Sequence, residues 1–267
     1  FSLFRSNGEL PGTCSFCCSY WPEDSKFKAR TFCLKTLVVM PTYNEAKSLT
    51  RTVEELLSVV EGVDVLIVDD NSPDGTAQIA NSLARVNPRV MVLHRSSKQG
   101  LGPAYLEGFN HAFDNKYDTV VEMDADGSHR AEDLSKLLVG IHDSDLVIGS
   151  RWIVGGSVQN WPLSRMILSR FGNLYARVML GTSIRDMTSG FRAYRADFLK
   201  KLITDPVSSQ GYSFQVELAY RSAKSGQVTE VPITFVERTE GSSKMTLRIV
   251  FEALVRIQLW AFRRLFF

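Results

Sequence analysis

Two aspartates two positions apart, Asp124 and Asp126, directly follow the apolar run Val120-Val-Glu-Met123. In an extended chain residues i and i+2 face the same side. Both carboxylates can therefore approach one hard cation of the Mg²⁺ or Mn²⁺ kind, which keeps waters and binds diphosphate oxygens. Other polar groups fall at equivalent places: Tyr43-Asn44-Glu45 follows Leu37-Val-Val-Met40, and Asp69-Asp70 follows Val65-Leu-Ile-Val68. Clustered carboxylates repel a bare phosphate, so a nucleotide bound among them needs a cation with it. Other motifs of this kind fail on their residues. Gly100-Leu-Gly102 has Tyr105 where a dinucleotide fingerprint needs its third Gly, no phosphate-binding Gly-x-x-x-x-Gly-Lys-Ser/Thr occurs, and the loop opening at Asp70 has Asn81 where a calcium loop needs Glu. No Ser-His-Asp or Cys-His set is evident either.

The elements that must carry these groups follow a repeating pattern. Apolar runs at Leu37–Met40, Val65–Val68, Val90–Leu93, Thr119–Met123 and Leu146–Gly149 read as strands. Amphipathic stretches at about Ala46–Val60, Thr76–Arg85, Pro103–Phe113 and Ala131–His142 read as the helices between them. Continuous apolar strands alternating with helices predict an α/β fold with a mostly parallel sheet covered on both faces. Ligands of such sheets bind outside the carboxyl ends of the strands, where all of these acids fall.

Composition excludes some functions. The chain has 267 residues, 44% apolar and 22% charged, with 31 Lys and Arg against 29 Asp and Glu. That balance argues against a protein that binds nucleic acid through many phosphates. A mean hydropathy of −0.06 excludes a polytopic membrane protein, and no window is long and apolar enough to span a bilayer. From Arg238 onward there are six basic and two acidic residues, so the tail is basic and the remainder net acidic. All four cysteines lie within residues 14–33. Residues 1–34 therefore read as an irregular leader without a signal-peptide core, and the Cys-poor remainder as the product of a reducing compartment.

Four ordered motifs resemble one family: Pro41-Thr-Tyr-Asn-Glu45, Val68-Asp-Asp-Asn-Ser-Pro-Asp-Gly-Thr76, Lys98-x-Gly-Leu-Gly-x-Ala-Tyr105 and Glu122-Met-Asp-Ala-Asp-Gly-Ser-His129. They are similar to the dolichol- and polyprenol-phosphate mannose synthases, inverting family 2 glycosyltransferases of GT-A fold, with wording most like the actinobacterial polyprenol-monophosphomannose synthases. The likeness runs from about Lys35 to Met245 and includes Gly149-Ser-Arg151, Asn160-Trp-Pro162 and Ser189-Gly-Phe-Arg192. It implies a GT-A catalytic domain over 35–245 and an amphipathic C-terminal helix over 246–267. It further implies that Pro41, Tyr43, Glu45, Val68 and Asp70 hold the guanosine end of GDP-mannose. Asp124, Ala125 and Asp126 would meet the diphosphate and the metal, with Ser128 as a further metal ligand where many relatives have Gln. Arg151, Arg165 and Ser169 match acceptor-phosphate positions, and Arg238 and Lys244 a basic loop that closes on the donor.

The chemistry that this implies is transfer of mannose to a polyprenyl monophosphate. The second pKa of such a phosphate, about 6, leaves it largely dianionic at neutral pH, so the nucleophile needs no strong base. Arg151 and Arg165 are expected to chelate it in a fork geometry, while Mg²⁺ or Mn²⁺ and Lys244 offset charge on the departing GDP. His129 reads as a group supporting the metal turn. Gln215 and Glu217 read as a helix start or as mannose contacts. The lesser alternative for Arg165 and Arg170 is the solvated face of a helix. In the tail, Arg248, Glu252, Arg256 and Arg263 fall within a wedge of about 80° with apolar residues around the rest. That pattern suits peripheral attachment to the cytoplasmic face of a membrane; the equal alternative is a helix covering the core or docking on a multi-spanning membrane partner. The rival functions are a related transferase using UDP-glucose or another donor, and a nucleotide-sugar-binding scaffold without turnover.

Overall fold

Strand β1 (Thr36–Thr42) is apolar from Leu37 to Met40 because it is enclosed on both faces and both edges, pairing in parallel with β2 (Val63–Asp69) and β4 (Thr119–Glu122). The computed structural model describes residues 34–207, 212–237 and 247–266, of which Lys35 onward belongs to one compact unit. The main sheet has seven strands in the order β3-β2-β1-β4-β7-β5-β8, with β3 at Val90–His94, β5 at Leu146–Ser150, β7 at Arg192–Arg195 and β8 at Val228–Pro232. All are parallel except β7, which runs antiparallel between β4 and β5. Its first residue, Arg192, consequently sits opposite Glu122 and Ile148 at the edge where the parallel strands end.

Helices α1 (Leu49–Val59), α2 (Thr76–Val86), α3 (Leu101–Asp114) and α4 (Ala131–Gly140) follow the first four strands, as the periodicity predicts. Helix α1 buries Leu49, Val53, Leu56 and Leu57 on one face, the 3.6-residue spacing of an amphipathic helix. Helix α3 lies so close to β1 that a Cβ on Gly108 would come within 2.3 Å of Val39 Cγ1. Beyond the repeat come α5 (Leu163–Leu180), α6 (Ala196–Leu202) and α7 (Tyr212–Ser225). A second, two-stranded sheet pairs β6 (Ser157–Gln159) in parallel with β9 (Thr234–Val236).

The C-terminal helix α8 (Leu247–Phe266) packs against α5 and α7. It buries Ile257 and Ala261 and stacks Trp260 on Tyr220, and it leaves Leu259 and Phe262 exposed. Core cover and an outward apolar face thus coexist on one helix. Arg238 and Lys244, with most of the expected leader, lie outside the described residues.

Candidate active site

The Asp124–His129 turn leaves β4 at the sheet edge and is pinned from three directions. From α1, Thr52 Oγ1 donates to the Ala125 carbonyl at 3.2 Å. From β9, the Val236 N–H donates to the Ser128 carbonyl at 3.0 Å. Within the turn, the Ser128 N–H donates to Asp126 Oδ1 at 3.0 Å and the Asp124 N–H to His129 Nδ1 at 3.2 Å. Gly127 makes the reversal at φ +76°, a conformation that glycine adopts without strain.

The His129 ring is buried, stacked on Phe191 at 4.8 Å and edge-on to Phe235 at 5.4 Å. Burial, together with the nearby Arg151 charge, lowers its pKa to about 4 against the pull of Asp126, Asp133 and Asp186. The ring is therefore neutral at physiological pH. With Nδ1 accepting a hydrogen bond, its proton lies on Nε2. This is the supporting role that the sequence suggests, and it takes Nδ1 out of use as a metal ligand.

Beneath the turn lies a buried polar layer of Glu122, Arg192, Tyr105, Tyr194 and Gln215. Arg192 donates from Nε to the Ser189 carbonyl at 2.8 Å, from Nη1 to Tyr194 Oη at 3.2 Å and the Gln215 carbonyl at 2.9 Å, and from Nη2 to the Met187 carbonyl at 2.8 Å. Burial pushes Glu122 up to about 7 against the opposing charge of Arg192. Burial, and then the Asp124 and Glu122 charges, hold the Tyr105 hydroxyl well above its usual value. A Cβ at Gly190 would lie 3.7 Å from Asp124 Oδ2 and 3.9 Å from Gln215 Nε2, so both side chains reach the space that this glycine leaves open.

On the opposite side, three loops are laced into a rim. Asp74 accepts from the Ala46 N–H at 3.1 Å and from Thr76 Oγ1 at 2.6 Å, while the Glu45 N–H donates to Thr76 Oγ1 at 3.0 Å. These hydrogen bonds hold the Asp74 carboxyl below its usual pKa, outweighing the upward effect of burial. Asp70 is buried and ion-paired with Arg95, and its Oδ2 accepts from the Gln99 and Gly100 N–H groups at 3.3 and 3.2 Å. Val68 is fully enclosed. These two residues, expected at the guanosine end, are therefore parts of the rim's foundation. Pro41, Tyr43 and Glu45 keep partly exposed surface, and Lys98 Nζ sits 3.7 Å from the centre of the Tyr43 ring.

The residues expected on the acceptor side come together on an aromatic cluster. Arg151 lies 5.6 Å from the Trp152 ring centre and 5.4 Å from those of Trp161 and Phe235. Its fork does not face outward: Nε and Nη2 each donate to Asp186 at 2.7 Å, and Nη2 also to Thr188 at 2.9 Å. Asp186 is fully buried, yet the Arg151 charge and hydrogen bonds hold its carboxyl below the usual range. The expected chelating fork is thus corrected to a fixed charge, because the two arms that would grip a phosphate grip Asp186. Arg165 lies 4.1 Å from the Trp161 ring centre and ion-pairs with Glu237, and Arg170 lies 4.9 Å from the Trp152 ring centre. Asn173 Nδ2 bridges the Ser169 carbonyl and Thr188 Oγ1, each at 3.0 Å, which ties Ser169 to the Arg151 network.

No group of three His, Cys, Asp or Glu side chains with metal-site geometry occurs among the described residues. Asp124 and Asp126 are partly exposed on one turn, and Ser128 Oγ is buried with no hydrogen-bond partner among the described residues. An all-oxygen donor set of this kind suits a hard divalent cation completed by waters and substrate oxygens. A cleft of about 270 Å³ opens beside Asp126, lined also by Arg51, Arg130, Gln159 and Glu237. Sequence reasoning missed Thr52, Asp186 and Glu237, which have no local motif. Arg192 was visible only within Ser189-Gly-Phe-Arg192.

Residues 37–203 match the family model described as glycosyl transferase family 2. An undecaprenyl-phosphate mannosyltransferase of Micrococcus luteus is 50% identical over 228 residues, 85% of this chain and 94% of that protein. A polyprenol monophosphomannose synthase of Mycolicibacterium smegmatis is 47% identical over 232 residues, 86% of this chain and 88% of that one. Among solved structures, the mannosyltransferase PcManGT of Pyrobaculum calidifontis, in complex with GDP-Man and Mn²⁺, superposes with a TM-score of 0.59 at 18% identity. That match covers 86% of this chain and 64% of that one. Glucosyl-3-phosphoglycerate synthase of Mycobacterium tuberculosis, in complex with UDP, gives 0.62 at 17% identity, covering 91% and 85%. At such identities the structural matches establish the GT-A fold, and the two close relatives narrow the family. With the Asp-x-Asp turn at the sheet edge and arginines clustered beside it, the chain belongs to glycosyl transferase family 2, on the branch of the polyprenyl-phosphate mannosyltransferases.

Proposed function

We propose that this enzyme transfers mannose from GDP-mannose to a polyprenyl monophosphate with inversion, giving polyprenyl β-mannosyl phosphate and GDP. The observation that carries the reading is that relatives at 47–50% identity, aligned over nearly their whole length, are named for this lipid-phosphate chemistry. Supporting it is the meeting of an Asp-x-Asp turn with an arginine cluster through Phe235, which touches both His129 and Trp161.

An oxygen of the dianionic acceptor attacks the anomeric carbon from the face opposite the leaving group. The bond from that carbon to the diphosphate oxygen breaks, and its electron pair leaves on GDP. No proton has to be removed from the nucleophile, which accords with a neutral, hydrogen-bonded His129 beside the site. Arg165, the more exposed of the two matched arginines, contacts the acceptor phosphate. Arg151, gripped by Asp186, supplies a fixed positive charge behind it. Tyr43, Glu45 and Pro41 receive the base on the rim, and Arg238 and Lys244 close over the donor. Asp124 and Asp126, with Ser128, are the residues that would hold Mg²⁺ or Mn²⁺. When bound, that cation supplies charge stabilisation for the departing diphosphate.

We further place the enzyme peripherally on the cytoplasmic face of a membrane. No helix among the described residues is long and apolar enough to cross one. Helix α5, however, carries Leu163, Ile167, Phe171 and Val178 in one row, each 57–67% exposed. The row extends about 22 Å at 1.5 Å per residue. Helix α5 contains three arginines and no acidic residue, and it packs against the basic sequence of α8. An apolar row flanked by cations is what an anionic bilayer surface attracts.

The test is product formation by purified enzyme from GDP-mannose and a short-chain polyprenyl phosphate. Turnover should require Mg²⁺ or Mn²⁺ and be lost in Asp126→Asn. Full activity in excess chelator would overturn the metal assignment, and preference for UDP-glucose in competition would overturn the donor.

A further inference from the structure

Arg165 and Glu237 form an ion pair on the acceptor side, 19% and 24% exposed. The pair uses Nη1 of the guanidinium, while Arg165 Nε is buried with no partner among the described residues. Trp152 Nε1 and Trp161 Nε1, in the same aromatic cluster, also lack an acceptor among those residues. Arg151 shows what a satisfied neighbour looks like, with two arms of its fork on one carboxylate. Arg165 has instead been met halfway.

We propose that Glu237 is a placeholder for the acceptor phosphate and a determinant of acceptor selectivity. It holds Arg165 while the site is unfilled, and only an anion that binds this arginine better than a carboxylate does displaces it. The inference rests on the acceptor proposed above.

Three physical points support it. A phosphodiester carries one negative charge, as Glu237 does, so exchanging one for the other leaves the electrostatics of Arg165 nearly unchanged. A dianionic monoester adds a second charge and a third oxygen, so it attracts the guanidinium more strongly and can grip Nη1 together with Nη2 in the end-on fork, where Glu237 holds Nη1. The displaced side chain also has a destination. Glu237 lines the cleft beside Asp126, whose lining carries Arg51, and Arg130 paired with Glu132, as well as the acidic Glu55. Its backbone is fixed by the Glu237 N–H donating to the Gln159 carbonyl at 3.0 Å, so a change of side-chain rotamer suffices. Two carboxylate-paired arginines thus differ in kind: the Asp186 partner of Arg151 is wholly buried and permanent, whereas Glu237 keeps part of its side chain exposed and is exchangeable.

The experiment compares wild type with Glu237→Gln, which keeps the side-chain size and removes the charge. The expected result is a several-fold lower KM for short-chain polyprenyl phosphate with the KM for GDP-mannose unchanged. The methyl ester of the same lipid phosphate should compete weakly against the wild type and much more effectively against the variant. An acceptor KM that is unchanged or raised, with discrimination against the ester intact, overturns the proposal. If Glu237→Gln melts early, Glu237→Asp, one methylene shorter with its charge retained, should show a smaller fall in the same KM, and no fall overturns the proposal equally. Calorimetric titration with inorganic phosphate is read independently of turnover. Tighter phosphate binding by Glu237→Gln supports the placeholder even if no lipid is mannosylated, in which case only the transferase reading fails. Equal phosphate affinity in an active enzyme rejects the placeholder alone.

Discussion

His129 Nδ1 accepts the backbone N–H of Asp124 at 3.2 Å, so a neutral imidazole five residues along the chain sets the entry of the Asp-x-Asp turn. The ring in turn is clamped between Phe191 and Phe235. His129→Ala removes the side-chain acceptor of the Asp124 N–H together with the clamp. Groups that orient metal ligands cost about 10–100-fold in affinity or activity when lost. The expected outcome is a fall of that order in turnover with a raised requirement for the divalent cation, Mg²⁺ or Mn²⁺. Asn at 129, whose carbonyl can replace Nδ1, should recover part of it. Metal titrations of the three proteins decide the matter, and an unaltered metal requirement in His129→Ala refutes the role.

The Arg151–Asp186 pair should appear in the acid limb of stability. The folded pKa of Asp186 lies below its unfolded value of about 3.9. Its contribution is therefore complete above that value and is lost as pH falls through the lower, folded pKa. Asp186→Asn strands a buried guanidinium, at a cost of about 3–5 kcal/mol near neutrality. Melting temperatures measured from pH 7 to pH 3 should show a large gap between the two proteins that narrows only at the acid end. A gap that is constant with pH contradicts the assignment.

Exposed apolar residues on α5 contribute little to folding and much to a surface. Phe171→Ser and Ile167→Ser should leave the melting temperature within a few degrees while reducing sedimentation with anionic vesicles. Raising the salt should weaken the wild type's binding further, since part of the attraction is screened. Vesicle binding unaffected by the double variant would point to attachment elsewhere.

The closeness of α3 to β1 predicts a packing penalty. Gly108→Ala forces a methyl against Val39 at the centre of the sheet, and overpacking of this kind costs about 1–3 kcal/mol. Denaturant unfolding gives the value, and Val39→Ala in the same chain should restore part of it by making room. A fully stable Gly108→Ala would mean that α3 can withdraw from the sheet.

The five leading strands and four helices were legible because parallel strands enclosed on both faces are written as uninterrupted apolar runs. Strand β7 was not, since Arg192-Ala-Tyr-Arg reads as surface until the internal partners of Arg192 are seen. The site divided in the same way. Asp124 and Asp126 could be placed from their position after a strand, and His129 from its proximity. Asp70 looked like a ligand-facing acid because its partner Arg95 lies 25 residues away, and Arg151 like an open fork because Asp186 lies 35 away. Long-range ion pairs leave no periodic trace in sequence. Helix α5 was half visible, Arg165 and Arg170 noted but Arg177 and the apolar row passed over, because no buried counterpart marks that face as special.

Phe235 stands edge-on to both Trp161, at 5.3 Å, and His129, at 5.4 Å. A single side chain on a three-residue strand therefore belongs to the arginine–tryptophan cluster and to the carboxylate turn at once. Diversification of this scaffold is constrained accordingly. A change of shape at Trp161 is felt at His129 through Phe235, so chimeras exchanged between relatives should splice outside these three positions.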